Sequence, residues 1–455
     1  MNDTIYALST PPGNGVAVIR ISGPECLVAL KKCFTHRGEY ESHRLYYGRL
    51  RDMMRSDAAD IDECMAVWMQ APRSYTAEDC AELHCHGSLA VLEQALALLS
   101  GMGLRPAEPG EFTRRAFENG RLDLSQAEAV MDLIHASATA SAQSALRQVE
   151  GALARRVAAM QDQLTDAIAQ IEAAIDYPEE DWEDEISEAV RPLMESTLSG
   201  IETLLAGGAQ GRILREGLQV ALAGRPNAGK STLLNALLGE ERAIVTDIAG
   251  TTRDTLEETI SIDGLPVRLT DTAGLRESDD PVERIGVERS RRAMEEADVV
   301  LLLIDSGQSL SAEDVALLDR LHADNHAAII VLNKEDLPTG IDEARLREKY
   351  DYPVVAISAR DGSGLDALRG EIRAVWARLS PVEKPGLLVG NRRQLDALAA
   401  AERSLVSALD ALEKTDMDCV TIDLRAAWHA LGQISGNSVE EGIVDRIFEK
   451  FCLGK

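Results

Sequence analysis

The run Gly224-Arg-Pro-Asn-Ala-Gly-Lys-Ser231 has the spacing G-x-x-x-x-G-K-[ST], which can do one kind of chemistry well: hold a chain of phosphates. The two glycines let successive backbone N–H groups, through Asn227, Ala228 and Gly229, turn inward around a β-phosphate. Lys230 then neutralises charge between the β- and γ-phosphates, and the Ser231 hydroxyl can ligate Mg²⁺. Thr232 opens a run to Leu238 that reads as a helix, whose positive N-terminus faces the same anion.

Further motifs follow in the order that reading a guanine base and sensing a γ-phosphate require. Asp271-Thr-Ala-Gly274 closes a strand-like run; Asp271 can hold Mg²⁺ through water, and the Gly274 N–H, with Thr272 and Ala273 leading to it, can sense the γ-phosphate. In Asn333-Lys-Glu-Asp336 the Asp336 carboxylate can accept two hydrogen bonds, from the N1–H and the 2-amino group of guanine, a pair that adenine lacks. Asn333 and Lys334 belong to the same reader, and Ser358-Ala-Arg360 offers backbone at Ala359 to the guanine carbonyl oxygen. Between these lies Thr246-Asp-Ile-Ala-Gly-Thr-Thr-Arg-Asp254, a candidate switch segment in which Thr252 is placed to add a Mg²⁺ ligand when the γ-phosphate is present. Asp247, Ala249 and Gly250 fall in the same cofactor-binding stretch. Many GTPases place Gln after the D-x-x-G motif to orient water, but Leu275 has no group to do so. Catalysis must come from elsewhere, and Glu283 is the candidate.

These residues need strands to end at one edge. Leu218–Ala223, Val267–Thr270, Ala297–Asp305, Ala327–Leu332 and Val354–Ile357 are short apolar runs with helical patterns between them, the alternation of a parallel sheet covered on both faces. Around this block the chain is Ala-rich and apolar at helical spacing, from Leu124 to about Leu205, from Gln394 to Lys414 and from Leu424 to Lys450. Two helical blocks flanking one α/β block predict a helical domain into which a nucleotide-binding domain is inserted. Before Leu124, strands over 4–9, 16–21, 46–50 and 64–69 with a helix over 89–99 predict a small α/β domain. The expected class is therefore α/β multidomain: residues 1–119, 120–212 (helical, first part), 213–380 (Ras-like P-loop G domain, inserted) and 381–455 (helical, second part).

Composition narrows the partners. A net charge of −29 over 455 residues argues against broad unaided binding to phosphate backbones, so a nucleic-acid partner needs a local basic patch or a second protein. Seven cysteines with no C-x-x-C pair fit a reducing compartment, and the longest apolar run, Val299–Ile304, is far short of a membrane span. A soluble cytoplasmic protein is expected. Cys80-Ala-Glu-Leu-His-Cys-His86 invites a zinc reading, but in a strand His84 and His86 share one face while Cys85 points to the other. Asp176–Asp184 carries six carboxylates and reads as a solvated acidic loop. Arg20, Glu82 and Arg121 stand at the ends of the N-terminal elements, and spacing alone does not distinguish them from unrelated surface charges. Near the C-terminus, Cys452 has the surroundings of a reachable, acidified thiol or of an incidental cysteine.

Taken together, the chain resembles the tRNA-modification GTPase family MnmE (TrmE). The likeness runs through Asp3-Thr-Ile with Pro11-Pro-Gly, Ser74–Asp79, Pro109–Phe117, Leu122–Glu128, the nucleotide motifs and the ending Phe451–Lys455. It implies an N-terminal domain that binds tetrahydrofolate through Arg20, Glu82 and Arg121 and forms homodimers. It also implies an FAD-dependent partner, MnmG (GidA), joined in a heterotetramer that modifies carbon 5 of the wobble uridine of certain tRNAs. The family's G domains dimerise in a K⁺-dependent way, with K⁺ held by the Asn227 side chain and carbonyls of Thr246, Ile248 and Thr251. Its catalytic acid aligns with Glu283, and its C-terminal cysteine, of open chemical role, with Cys452. The departures are small: Gly13-Asn-Gly15 makes a short turn, Ser88 replaces a common Gly, and Arg360 a frequent Lys. The competing expectation is a GTP-controlled assembly switch of the ribosome-maturation type, without modification chemistry.

Overall fold

The computed structural model describes residues 3–36, 38–55, 57–176, 183–240, 257–271, 291–338, 340–379, 387–414, 417–439, 441–451 and 454. The chain divides into two compact units, 1–131 with 149–159 and 429–455, and 132–148 with 160–428.

The first unit is built on a six-stranded sheet, β1 (Ile5–Leu8), β2 (Val16–Ser22), β3 (Arg44–Leu50), β4 (Asp62–Met69), β5 (Cys80–His86) and β6 (Arg105–Pro106), in the order β3-β4-β5-β2-β1-β6. Period-two alternation decides its faces: Ala17, Ile19 and Ile21 of β2 are fully buried, while Arg20 between them points to the other side. Helices Cys26–Cys33 and Leu89–Gly101 supply the apolar cover, with Leu30, Leu92, Ala95 and Leu99 in the same core as Ile19, Leu83 and Cys85. A second short helix, Glu111–Glu118, carries a buried charge. Arg115 is 1% exposed and reaches Asp3 at 2.7 Å, Glu111 at 3.0 Å and Glu78 at 3.2 Å. The carboxyls of Asp3 and Glu111 are held below their ordinary range. Burial alone would raise Asp3 and Glu111, but hydrogen bonds from Arg105 and Arg115 outweigh it.

The C-terminal segment belongs to this unit. Phe448 and Phe451 pack with Leu124 and Phe117, and the Ser9 hydroxyl donates to the Gly454 carbonyl at 3.1 Å.

The second unit carries another six-stranded sheet, β7 (Leu218–Ala223), β8 (Glu257–Ile262), β9 (Leu265–Asp271), β10 (Val299–Asp305), β11 (Ala328–Asn333) and β12 (Val354–Ile357), in the order β12-β11-β10-β7-β9-β8. All neighbours are parallel except the β8–β9 hairpin. Its central strands are buried from end to end, as a sheet covered on both faces demands. In the same unit helix Glu183–Ala206 packs along helix Arg392–Lys414, with Arg191 bridging to Glu413 at 3.1 Å. The backbone entering the nucleotide block touches the backbone leaving it. A Cβ on Gly390 would lie 2.2 Å from the Gly211 carbonyl oxygen, so neither position has room for a side chain. That crossing is the physical form of the insertion expected from the pattern.

The helical blocks are more broken than their periodicity suggested. Leu124–Leu205 resolves into helices Leu124–His135, Thr139–Val149, Ala152–Asp176 and Glu183–Ala206, and the expected helix Leu424–Lys450 is two, Met417–Ser435 and Glu441–Phe448, separated at a turn on Gly436. After that turn Val444 and Phe448 join Leu124 in one core cluster. Strand β8 and helices Cys26–Cys33 and Glu111–Glu118 were not anticipated. No described helix is long and apolar enough to cross a membrane.

Arg115→Ala should lower the stability of this chain by about 3–5 kcal/mol in urea denaturation, because Glu111 and Asp3 lose a buried partner. The depressed carboxyls add an acid limit. Their folded pKa values lie below the unfolded ones, so their stabilisation is complete above about pH 4.5 and disappears as pH falls through the lowered values. The urea midpoint of the wild type should drop in that window more steeply than that of Arg115→Ala.

Candidate functional site

Strand register assembles the nucleotide site. Asp271 is level with Leu222 of β7, Ala223 with Leu302, Asp305 with Asn333, and Asn333 with Ile357, so every motif emerges at the carboxyl edge of the sheet. From that edge the loop after β7 curls over and enters helix Lys230–Glu240. Asn227 takes the left-handed φ of +65° and keeps its side chain exposed. Gly229, at φ +100°, passes so close to Asn333 that a Cβ would sit 2.1 Å from the amide nitrogen.

Asn333 is the joint. Only 2% exposed, it donates from Nδ2 to the Ala228 carbonyl at 2.7 Å and accepts at Oδ1 from the Ala359 N–H at 3.0 Å. One amide thus links the phosphate loop, the base-reading strand end and the loop after β12. Ser358, fully buried, donates to the Asp336 carboxylate at 3.1 Å, which leaves Asp336 exposed and oriented at the edge. Lys334 is turned to a left-handed φ of +72° and pairs with Asp305 at 2.6 Å, a partner that the motif reading did not include. Its signal was present: an acid closing β10 beside a lysine closing β11. Burial works against the Asp305 carboxylate, and the hydrogen bond from Lys334 more than offsets it, so the group is held below the ordinary range.

The cationic and metal-binding positions also converge. Lys230 is buried, its ammonium held by the carbonyls of Gly224 at 2.7 Å and Arg225 at 3.0 Å. Burial lowers its pKa, with the nearby Asp271 opposing. The Ser231 hydroxyl points at Asp271, 3.3 Å from Oδ2, while Asp271 Oδ1 is buried with no hydrogen-bond partner among the described residues. An orphaned buried carboxylate oxygen beside a hydroxyl, at a helix N-terminus, fits a hydrated Mg²⁺. Thr232, next to Ser231 in the chain, is exposed, as is Arg360 in the loop after β12. Thr246, Asp247, Ile248, Ala249, Gly250, Thr251, Thr252, Thr272, Ala273, Gly274 and Glu283 lie outside the described residues, so nothing is said of their placement.

In the first unit, the three charged residues that spacing could not relate come together. Arg20 and Glu82 are direct partners in the β2–β5 ladder, and Arg20 Nε donates to Glu82 Oε1 at 2.9 Å. His84, two residues along the same face, contacts Glu82 Oε2 at 3.1 Å. Burial would raise the Glu82 carboxyl, but His84 and Arg20 outweigh it and hold it ionised. Arg121 joins through Tyr75: its guanidinium donates to the Tyr75 carbonyl at 2.8 Å, and both it and Arg20 lie over the Tyr75 ring. Sequence reading missed Tyr75, although it lies in the Ser74–Asp79 segment used for the resemblance. Two cations and one carboxylate around an aromatic face suit a planar, hydrogen-bonding, anionic ligand, so the group fits a folate. The chain's end is tied to the same sheet by the Ser9–Gly454 contact, and Leu8 beside it is level with Ile19, next to Arg20. Cys452 itself lies outside the described residues.

The zinc question has a structural answer for Cys85. Its sulfur, that of Cys64 and a carboxylate oxygen of Asp62 lie within 4.8 Å of one another. Both thiols are buried, and a hydrogen bond with Cys64 together with burial pushes the Cys85 thiol up. Asp62 already accepts from the backbone and ring nitrogens of His86 at 2.8 and 2.7 Å. The group therefore reads as buried core thiols with a strand-end cap.

Comparison with known proteins bears on the family of the chain. The model of the MnmE helical domain matches residues 124–452, and that of the GTP-binding protein TrmE N-terminus matches residues 4–121. A curated protein of Listeria innocua, named tRNA modification GTPase MnmE, is 45% identical over 462 residues, covering 100% of this chain and 99% of its own. Its Bacillus subtilis namesake is 44% identical over 465 residues, covering 100% of both chains. Among solved structures, an Aquifex aeolicus Era variant bound to GDP.AlF4⁻ is 30% identical with a TM-score of 0.30, covering 41% of this chain and 65% of that one.

Asp336→Asn should weaken GTP binding by roughly 100-fold or more, since the amide presents a donor to the guanine 2-amino group. The same variant should gain affinity for xanthosine triphosphate, whose 2-oxo group accepts from that donor. Competition of the two nucleotides against a fluorescent GDP analogue measures the exchange; loss of both would mean that Asp336 holds the loop rather than the base.

Proposed function

The chain belongs to the MnmE family of tRNA modification GTPases, and we propose that it is a K⁺-stimulated GTP hydrolase acting in modification of carbon 5 of the wobble uridine of certain tRNAs. The observation that carries this is the presence, in one chain, of a guanine-nucleotide site jointed by Asn333 and a separate Arg20–Glu82–Arg121 group. A nucleotide switch alone needs only the first.

In this reading the loop Asn227, Ala228 and Gly229 wraps the β-phosphate, and Lys230 exchanges its two carbonyl partners for β- and γ-phosphate oxygens. Ser231 and Thr252 would hold Mg²⁺, with Asp271 accepting from its water. Asn227 and the carbonyls of Thr246, Ile248 and Thr251 would hold K⁺. When bound, such a cation neutralises charge developing on the γ-phosphate, where Leu275 offers nothing. The left-handed, exposed Asn227 supports that role, because no hydrogen bond of its side chain is seen among the described residues. Glu283 orients the attacking water. Thr272, Ala273, Gly274, Asp247, Ala249 and Gly250 form the loops that sense the γ-phosphate, and Lys334, Asp336, Ser358, Ala359 and Arg360 select guanine.

Arg20, Glu82 and Arg121 would hold a tetrahydrofolate, which supplies the one-carbon unit. Cys452 stands as a further reactive residue of that site. A homodimer, joined with the FAD-dependent MnmG in a heterotetramer, supplies the tRNA-binding surface that a chain of net charge −29 does not offer. Residues 1–119, 120–212 with 381–455, and 213–380 are the folate, helical and G domains in this scheme, and the cytoplasm is its compartment.

GTP turnover in K⁺ should exceed that in Na⁺ at equal ionic strength, and equal rates would remove the cation from the scheme. Glu283→Ala should reduce kcat by roughly 10²-fold or more with GTP affinity near wild type. Nucleoside analysis of tRNA from a deletion strain decides the larger question. Loss of the carbon-5 modification is expected, and an unchanged wobble uridine would favour an assembly switch.

A further inference from the structure

Tyr75 lies where two cations meet. The guanidinium carbon of Arg20 is 5.0 Å from the centre of its ring and that of Arg121 is 5.1 Å away, both inside the range in which an aromatic face attracts a cation. Two like charges on one ring repel each other, so something must hold them. Arg20 shares the Glu82 carboxylate with His84, whereas no ion pair is seen for Arg121 among the described residues, only its 2.8 Å hydrogen bond to the Tyr75 carbonyl. The ring is itself anchored, its hydroxyl 2.9 Å from Thr113 Oγ1.

A carboxylate at this place would bring the arginines together equally well, but it would neutralise them and compete with an anionic ligand. A neutral aromatic face attracts both cations and leaves the charge of Arg121 available, while Arg20 is already paired with Glu82. We propose that Tyr75 is a positioning residue of the tetrahydrofolate site: its ring and carbonyl set Arg20 and Arg121 at the spacing that the ligand's carboxylate and amide edge require. The inference rests on the reading of this group as a folate site. Tyr75 acts through the two arginines, without itself taking part in one-carbon transfer.

Calorimetric binding of tetrahydrofolate to the full-length protein tests it. Losing two cation–π contacts in Tyr75→Leu should weaken binding by roughly 5- to 30-fold. Tyr75→Phe keeps the ring and should stay within about twofold of wild type, as only the Thr113 hydrogen bond is lost. Adding fluorines one by one to a phenylalanine at position 75 drains the ring's charge while barely changing its size, and affinity should fall step by step. That series also carries the test alone if Tyr75→Leu does not fold. A flat fluorine series, or Leu and Phe variants weakened equally, would overturn the inference while leaving the folate reading in place. If Arg20→Ala and Arg121→Ala also bind as wild type, the folate reading falls, and this inference with it.

Discussion

Asn333 satisfies two groups that no other side chain reaches among the described residues, the Ala228 carbonyl in the phosphate loop and the Ala359 N–H beyond β12. A buried backbone group left without its partner costs about 1–3 kcal/mol, so replacing this amide by an apolar side chain would loosen both loops at once. The geometry around it follows. Gly229 must lack a Cβ because the amide nitrogen occupies that space, and the parallel register of β10, β11 and β12 brings Asp305 and Lys334 to one level as an ion pair. The phosphate loop, the end of β11 and the loop after β12 are therefore mechanically one unit.

Two buried cations show how differently the units use charge. Arg115 is surrounded by Asp3, Glu78 and Glu111, and its charge is consumed by the fold. Lys230 is equally buried but rests on neutral carbonyls, so its charge remains for an incoming anion at the cost of a lowered pKa. Arg121, over a ring and a carbonyl, follows the second pattern. In a chain of net charge −29, cations held by neutral partners are the places where an anion can be received.

Much of the nucleotide site was legible as a string because each of its groups sits within a few residues of a strand end, and the backbone conformations it needs are written in glycine spacing. The phosphate loop, Asp271 and the Asn333–Asp336 reader fall at the edge that the alternation of apolar runs implied. Helix breaks were less legible. At Gly436 the helical spacing carries on past the turn, because the following helix, Glu441–Phe448, also buries an apolar face, with Val444 and Phe448 packed on Leu124. The Asp305–Lys334 pair and Tyr75 escaped notice because each acts through another residue, a relation with no linear signature.

Sequence alone determined the guanine-nucleotide chemistry, the inserted arrangement and the family, since those rest on residue types at short fixed spacings and on periodicity. Spacing left Arg20, Glu82 and Arg121 unrelated and only the resemblance grouped them; tertiary structure alone supplied the contacts that join them. Their positions are 62 and 39 residues apart along the chain, and no pattern relates them. Only the antiparallel register of β2 with β5, and the Tyr75 ring that meets both arginines, brings them within a few ångströms.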